Sequence, residues 1–192
     1  MPQEVAELVA SVEGAVSIEE CDLLYSLAAN VREGCIVEVG SFRGRSTVAL
    51  AKGSMAGAQL PIYAIEPHER FTGVLGGEFY PSDRTEFFKN MLAGDTGEIV
   101  RLVNLSSQVV TRGWSMPVAL LWIDGDHRYP AVKRDFQCWL PFLTPEAIVA
   151  FHDSLDPELG PSRVISEAAA SGSLRPVGRR GLTSILRRGE CR

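Results

Sequence analysis

The chain has 192 residues, 45% of them apolar and 22% charged, a balance that excludes disordered, collagen-like and fibrous classes and suits one globular domain with a real core. Its formal charge is −5, with no basic run longer than the pairs Arg179-Arg180 and Arg187-Arg188, so neither nucleic acid nor an anionic membrane is an expected partner. Residues 1–10 carry acids where a signal peptide would be basic and then apolar, and no apolar stretch approaches the ~18 residues that suggest a membrane span, which points to a cytoplasmic protein. Cys21, Cys35, Cys138 and Cys191 are widely spaced, form no Cys-x-x-Cys pair, and read as buried free thiols of a reducing compartment.

Ser17 and Glu20 stand in capping-box spacing ahead of Leu23, Leu24 and Leu27, predicting a helix that stops at Gly34. Apolar runs at 35–39 and 60–65 flank a helical stretch at 46–55, a spacing that makes one right-handed βαβ unit. Further strands are expected at 99–103, at 118–123 with both faces buried, and at 147–151. Between the last two, 130–140 sets Val132, Phe136 and Leu140 on one helical face behind a first-turn proline. Residues 161–170 read as a helix and 181–186 as an edge strand. The stretch 67–83, with Gly73, Gly76, Gly77 and aromatic residues at 71, 79 and 80, lacks a regular period and reads as a lid over a pocket or as a surface insertion. The expected fold is α/β: a single Rossmann-like domain over 1–192, doubly wound and mostly parallel, with a helical segment at 1–34 and an antiparallel strand near the C-terminus.

Residues 38–46, Glu66, 124–127 and 152–153 follow the strand candidates, so four strand ends bring polar groups to the rim at which open α/β sheets bind ligands. In Glu38-Val-Gly-Ser-Phe-Arg-Gly-Arg-Ser46, Gly40 and Gly44 permit positive φ or close approach of a ligand, and the following helix offers free N–H groups. The run is not GxGxxG and falls one residue short of GxxxxGK[ST], which weakens the dinucleotide and P-loop readings. Arg43 and Arg45 read either as anion ligands or as solvated side chains, while Glu38 suits a ligand with cationic groups. Glu66, one crossover beyond Gly40, can accept both hydroxyls of a ribose. Asp124-Gly-Asp-His127 and His152-Asp153 set hard oxygen donors on neighbouring strand ends, which suits Mg²⁺ or Mn²⁺ better than Zn²⁺. His127 reads as a general base or a structural hydrogen-bonding residue, His152 as a ligand or a structural one, and Asp126 as a cap of the next turn.

As a set, Glu38-x-Gly-x-x-x-Gly-x-Ser46, Glu66, Ser107-Gln108, Ile123-Asp-Gly-Asp-His-Arg-Tyr129 and Phe151-His-Asp153 make residues 31–188 resemble a class I S-adenosylmethionine-dependent methyltransferase. The resemblance is to the divalent-metal O-methyltransferase kind, similar to catechol O-methyltransferase and nearer to a small bacterial branch that acts on sugars and antibiotic precursors. It implies that Glu38, Gly40, Ser41 and Ser46 surround the methionine moiety of S-adenosylmethionine, that Glu66 holds the ribose, and that Ser107 and Gln108 contact the adenine. It further implies Asp124, His152 and Asp153 as metal ligands, with Asp124 also bordering the cofactor, and His127 in the place of the catalytic base, where catechol enzymes have a lysine. Relatives commonly carry an acid or amide pair at the last metal position. Here His152 takes the first place of the two, which is compatible with Mn²⁺ and loosens the expectation of tight Mg²⁺ dependence.

The reaction so implied is methyl transfer to a hydroxyl of a small molecule, a saccharide ahead of phenols, catechols and other natural products, with lid aromatics such as Phe79 or Tyr80 against the acceptor ring. Two other classes use parts of the same pattern. Metal-dependent hydrolysis of phosphate esters needs Asp124, Asp126, His127, His152 and Asp153 with a second metal, and a non-catalytic nucleoside-binding domain needs only Glu38 and Glu66. The apolar helix at 18–29 suggests a homodimer.

Overall fold

The computed structural model describes residues 1–189; Cys191 lies outside them. In chain order the elements are α1 (Gln3–Ser11), α2 (Ile18–Asn30), β1 (Cys35–Val39), α3 (Arg45–Ala56), β2 (Ile62–Ile65), β3 (Phe71–Thr72), β4 (Glu78–Phe79), α4 (Asp83–Ala93), β5 (Val100–Val103), α5 (Ser107–Val110), β6 (Val118–Ile123), α6 (Tyr129–Trp139), β7 (Leu143–Phe151), α7 (Gly160–Ala170), β8 (Leu174–Arg180) and β9 (Thr183–Arg188). Seven strands form one sheet in the order β5-β2-β1-β6-β7-β9-β8, and β3 with β4 makes a separate hairpin. The first five run parallel, β9 lies antiparallel to β7, and β8 pairs antiparallel with β9.

Every residue of β1 is buried, as expected of a strand covered on both faces. Ile36, Leu120 and Trp122 pack with Val9, Leu24 and Leu50 of α1, α2 and α3 on one side of the sheet. Val37, Leu121 and Ile123 pack with Phe136, Trp139 and Val164 of α6 and α7 on the other. The capping box at Ser17 and Glu20 forms as expected, but the helix ends at Asn30, not at Gly34. Gly34 has φ +79° and serves the entry to β1, where a Cβ would lie 2.7 Å from the Pro117 carbonyl oxygen. The segment expected as an edge strand becomes β9, an interior strand between β7 and β8. The edge is β8, which is exposed beyond Leu174 and carries Pro176, Gly178 and arginines, the residues that blunt a free edge.

Helices α4 and α5 lie outside the expected set, and α1 is a second helix within the segment expected to be helical at 1–34. In α1, Val5 and Val9 are buried four residues apart. In α4, Phe87 and Met91 repeat that spacing, and the Asp83 carboxylate accepts the Tyr80 N–H at 2.7 Å. Part of the expected lid is regular after all, since Phe71–Thr72 pairs with Glu78–Phe79. The apolar face of α2, on which the expectation of a homodimer rested, is turned inward: Cys21, Leu24 and Ala28 are buried. Cys21 and Cys35 are buried free thiols whose burial pushes each up to about 12, and Cys138 is a half-buried free thiol. Among the described residues no helix is long and apolar enough to cross a membrane.

Helices α2 and α3 approach through bare backbone, for a Cβ on Gly53 would lie 2.2 Å from Tyr25 O and one on Gly57 2.5 Å from Ala29 O. Alanine is the better helix former by about 1 kcal/mol. Gly53→Ala is nonetheless expected to lower stability by about 2 kcal/mol through overpacking, read from denaturant unfolding; a variant as stable as wild type would mean that α2 yields without cost.

Candidate functional site

The parallel ladder runs one residue past the strands. Gly40 N donates to Ile65 O at 3.1 Å, Glu66 N to Val103 O at 3.1 Å, Asp124 N to Val39 O at 2.8 Å and His152 N to Ile123 O at 3.1 Å. Gly40, Glu66, Asp124 and His152 therefore stand level on one rim. The strand order reverses at β1, whose neighbours are β2 and β6, and such a switch point opens a crevice at the strands' carboxyl ends.

Two cavities occupy that crevice, of about 350 and 290 Å³, both bordered by Gly40, Phe42, Phe71, Phe79, Asp124 and Gly125. Glu66 and Ser107 line the larger; Ser41, Ser46, His127, His152 and Asp153 line the smaller. The hairpin of β3 and β4 roofs both. Phe79 meets Phe42 edge-on at 5.2 Å between centroids, and Arg128 lies 5.3 Å from the Phe71 ring centre while donating to Thr72 O at 3.0 Å. Phe79 thus sits at the junction, whereas Tyr80 stands outside the walls, 41% exposed. Gln108 is also exposed and borders neither cavity.

Glu38 is wholly buried and lies behind the walls, its oxygens accepting from Ser46 Oγ and Thr47 Oγ1, each at 2.5 Å. Burial pushes this carboxyl up to about 8 despite those two donors. The two arginines of the same turn are structural. Arg43 pairs with Asp83 and Glu13, and Arg45 donates to the carbonyls of Val12, Gly14 and Val16 at 2.7, 2.8 and 3.0 Å, fastening the α1–α2 link beside the smaller cavity. Asp126 accepts from Arg128 N at 3.0 Å and caps that turn.

Glu66 spans two loops: Oε2 accepts from Phe42 N at 3.2 Å and Oε1 from His68 N at 3.0 Å. His68 was not foreseen as part of the site, and its position two residues after Glu66 was the available signal. Its Nε2 donates to Phe42 O at 2.8 Å, which places a proton on that nitrogen, and its Nδ1 lies 3.3 Å from Asn104 Nδ2. Phe42, His68 and Asp153 all have positive φ, of 45°, 50° and 46°, a conformation that such residues keep only where their surroundings enforce it.

In the smaller cavity four side chains converge. His127 Nε2 lies 3.5 Å from Asp124 Oδ1 and 3.2 Å from Asp153 Oδ2; His152 Nδ1 lies 3.0 and 3.3 Å from the same oxygens. Burial works against charge on either imidazole, but the facing carboxylates outweigh it and hold His127 up to about 9 and His152 up to about 12. His127 and His152 in turn hold Asp153 well below the usual carboxylate range. Among the described residues, His127 Nε2 and both nitrogens of His152 are buried without a well-directed hydrogen bond. Donor atoms of Asp124, His127 and His152 lie within 4.8 Å of one another, and two imidazoles with two carboxylates fit a divalent cation of the Mn²⁺ type. Glu20, foreseen only as a helix cap, lies behind this cluster at 3.5 Å from His152 Nε2. His152 and Ser17 hold its carboxyl down to about 2 against the opposing effect of burial.

The architecture is thus a doubly wound sheet with a double cavity at its switch point and a histidine–aspartate cluster on one side. Residues 37–154 match the family described as a methyltransferase domain, and the chain belongs to that family. A curated relative, uncharacterized protein y4gI of Sinorhizobium fredii, is 29% identical over 126 residues, which are 62% of this chain and 13% of that protein. The chain thus matches only about an eighth of the length of that relative. Among solved structures, the O-methyltransferase TomG of Streptomyces achromogenes, in complex with SAM, superposes with a TM-score of 0.72 at 17% identity over 99% of this chain and 92% of that one. An O-methyltransferase of Bacillus cereus in complex with SAH gives 0.73 at 16% identity over 99% and 92%. The TDP-rhamnose 3′-O-methyltransferase CalS11, of calicheamicin biosynthesis, gives 0.62 at 19% over 98% and 93%. At these identities the likeness is one of fold.

The state of Glu38 has a measurable consequence. With its pKa raised from 4.5 to about 8, the folded chain holds more protons than the unfolded chain between those values, so stability falls as pH rises through that window. Glu38→Gln is expected to flatten the fall, measured by urea unfolding at pH 5 and pH 8. Equal slopes in the two proteins would mean that the buried carboxyl is already ionised at pH 5.

Proposed function

We propose that the protein is an S-adenosylmethionine-dependent O-methyltransferase that takes the donor in the larger cavity and a hydroxyl-bearing small molecule, a saccharide ahead of other classes, in the smaller. The observation that carries this reading is the junction at Gly40, Phe79 and Asp124, where a nucleoside-sized cavity with an acid on its wall meets a cavity holding the histidine–aspartate cluster. Family membership and the donor or its product in the TomG and Bacillus structures support it. The working unit is the whole chain, with 1–34 as a helical flank and 67–83 as the lid.

In this reading Glu66 takes the ribose hydroxyls. Phe42 N and His68 N use one lone pair on each of its oxygens, and a carboxylate offers about four acceptor sites. Gly40 lets the methionine end approach the backbone, Ser41 and Ser46 border that end from the acceptor side, and Glu38 positions the turn from behind through Ser46 and Thr47. Ser107 meets the adenine from the cavity wall, and Gln108, exposed beside it, would reach the adenine only from the rim. S-adenosylmethionine supplies an electrophilic methyl group on a sulfonium. Asp124, His152 and Asp153 would hold a divalent cation, which supplies Lewis acidity toward the acceptor hydroxyl. Without a cation the facing carboxylates hold a proton on His127; engaged by one they would release it, and the neutral imidazole takes the hydroxyl proton as the C–O bond forms and the C–S bond breaks, its Nε2 lying 3.2 Å from Asp153. Phe79 and Gly40 set the line of approach, and such positioning contributes on the order of 10 kcal/mol in favourable cases.

One observation favours a second acceptor class. The roof of the smaller cavity is apolar, with Phe71, Val74, Leu75 and Phe79 opposite the polar cluster, a lining that also suits the ring of a phenol or catechol.

Calorimetric titration with S-adenosylhomocysteine tests the donor assignment. Micromolar binding is expected with or without Mg²⁺, falling at least ~10-fold in Glu66→Ala through loss of charge-assisted hydrogen bonds of about 1.5–3 kcal/mol. No binding by wild type in either condition would overturn it, while binding without turnover of any acceptor would favour a non-catalytic domain. For His127→Ala, kcat is expected to fall by a factor on the order of 10²–10⁴, with S-adenosylhomocysteine and Mn²⁺ affinities kept. A matching loss of Mn²⁺ affinity would make His127 a ligand and not the base.

A further inference from the structure

Glu20 does more than cap α2. Its Oε2 accepts from Ser17 N at 3.1 Å and Ser17 Oγ at 2.7 Å, which completes the capping box. Its Oε1 faces inward and accepts from Leu182 N and Thr183 Oγ1, both at 2.9 Å. Box carboxylates ordinarily sit in water near a helix N-terminus, yet this one is 2% exposed. Gly181 makes room for it, since a Cβ there would lie 2.8 Å from Glu20 Cγ. The same Oε1 stands 3.5 Å from His152 Nε2, on the side of the ring away from Asp124 and Asp153.

An imidazole that gives one nitrogen to a cation carries its proton on the other, and a buried N–H needs an acceptor. His152 Nε2 is buried and has no well-directed partner among the described residues. Glu20 is the carboxylate beside it: its Oε1 stands 3.5 Å away, short of a directed hydrogen bond while Leu182 N and Thr183 Oγ1 occupy it, and takes the ring N–H by releasing the Thr183 hydroxyl, which can rotate. We propose that Glu20 is a positioning residue of the site: its carboxylate holds the Nε2–H of His152 and so presents an unprotonated Nδ1 to a divalent cation beside Asp124 and Asp153. The inference rests on the cation reading of the cluster given above. It explains why this acid is drawn into the core, and it makes α2 and the turn before β9 part of the machinery that orients a ligand. It also gives the histidine a support that an acid at the same place would not need.

The test is calorimetric titration with Mn²⁺ of wild type, Glu20→Gln, His152→Asp and the double variant. Glu20→Gln is expected to weaken Mn²⁺ on the order of 10-fold or more in the wild-type background and not at all in the His152→Asp background, where there is no imidazole proton to hold. Equal losses in both backgrounds mean that Glu20 acts through folding alone and overturn the proposal, as does an unchanged affinity of Glu20→Gln. A second measurement needs no variant: ¹⁵N NMR of the Mg²⁺-loaded wild type is expected to show His152 protonated on Nε2 only, and a proton on Nδ1 overturns the proposal. Wild type that binds neither ion overturns the cation reading, and this inference with it.

Discussion

The close passage of the turn after β1 over the end of β6 is the constraint on which the rest of the site depends. Gly40 has φ +86°, and a Cβ on it would lie 2.3 Å from the carbonyl oxygen of Asp124. Only glycine allows both the backbone angle and the contact. Because the two loops touch, a group bound over β1 and β2 lies next to one bound over β6 and β7. The two cavities meet there, and a transfer between their occupants needs no large motion of the sheet.

The site concentrates charge in a poorly solvated place. Asp124, Asp153 and Glu20 face two imidazoles, and three of the imidazole nitrogens lack directed partners among the described residues. A cluster held by charge and not by oriented hydrogen bonds costs desolvation without the usual return. Residues at positive φ on the same rim add strain. What surrounds the cluster is correspondingly well hydrogen-bonded: Arg45 fastens the carbonyls of Val12, Gly14 and Val16, Glu66 and His68 tie two loops, and the capping box fixes the start of α2. Stability is thus concentrated around the place that gives it up, as expected where a bound group supplies the missing interactions.

The parts legible in the sequence were those with a local signature. Apolar runs that end in a polar residue or a glycine marked β1, β2, β6 and β7 and placed Gly40, Glu66, Asp124 and His152 on one rim, because a parallel strand and the residue after it are contiguous in sequence. The capping box marked the start of α2. What was not legible depends on partners far along the chain. Arg45 looks like an anion ligand until the α1–α2 link folds onto it, and His68 has only its nearness to Glu66 to mark it until Phe42 and Asn104 come together. Glu20 satisfied one local rule so well that nothing in the sequence called for a second task. The strand at 174–180 failed for the opposite reason, since the proline, glycine and arginines that protect an edge also erase the alternation by which strands are recognised.

The shape of the smaller cavity bears on what enters it. Its floor is polar, from Ser41 to the histidine–aspartate cluster, and its roof is apolar, from Phe71 and Phe79 to Val74 and Leu75. In the proposed reading an acceptor therefore presents hydroxyls on one face and carbon on the other. A sugar does so when its ring lies flat, with C–H bonds against Phe79, and a deoxy position would fit such a roof better than a further hydroxyl, because an unpaired hydroxyl against aromatic carbon costs about 1–3 kcal/mol. A phenol satisfies the roof more fully but leaves part of the polar floor to water. The difference between the two lies in how many floor groups the acceptor pairs: vicinal hydroxyls engage the cluster twice, and a lone phenolic oxygen engages it once. The extent of the floor, which includes the Ser41 hydroxyl left without a protein partner, therefore weighs toward an acceptor with more than one hydroxyl on the same face.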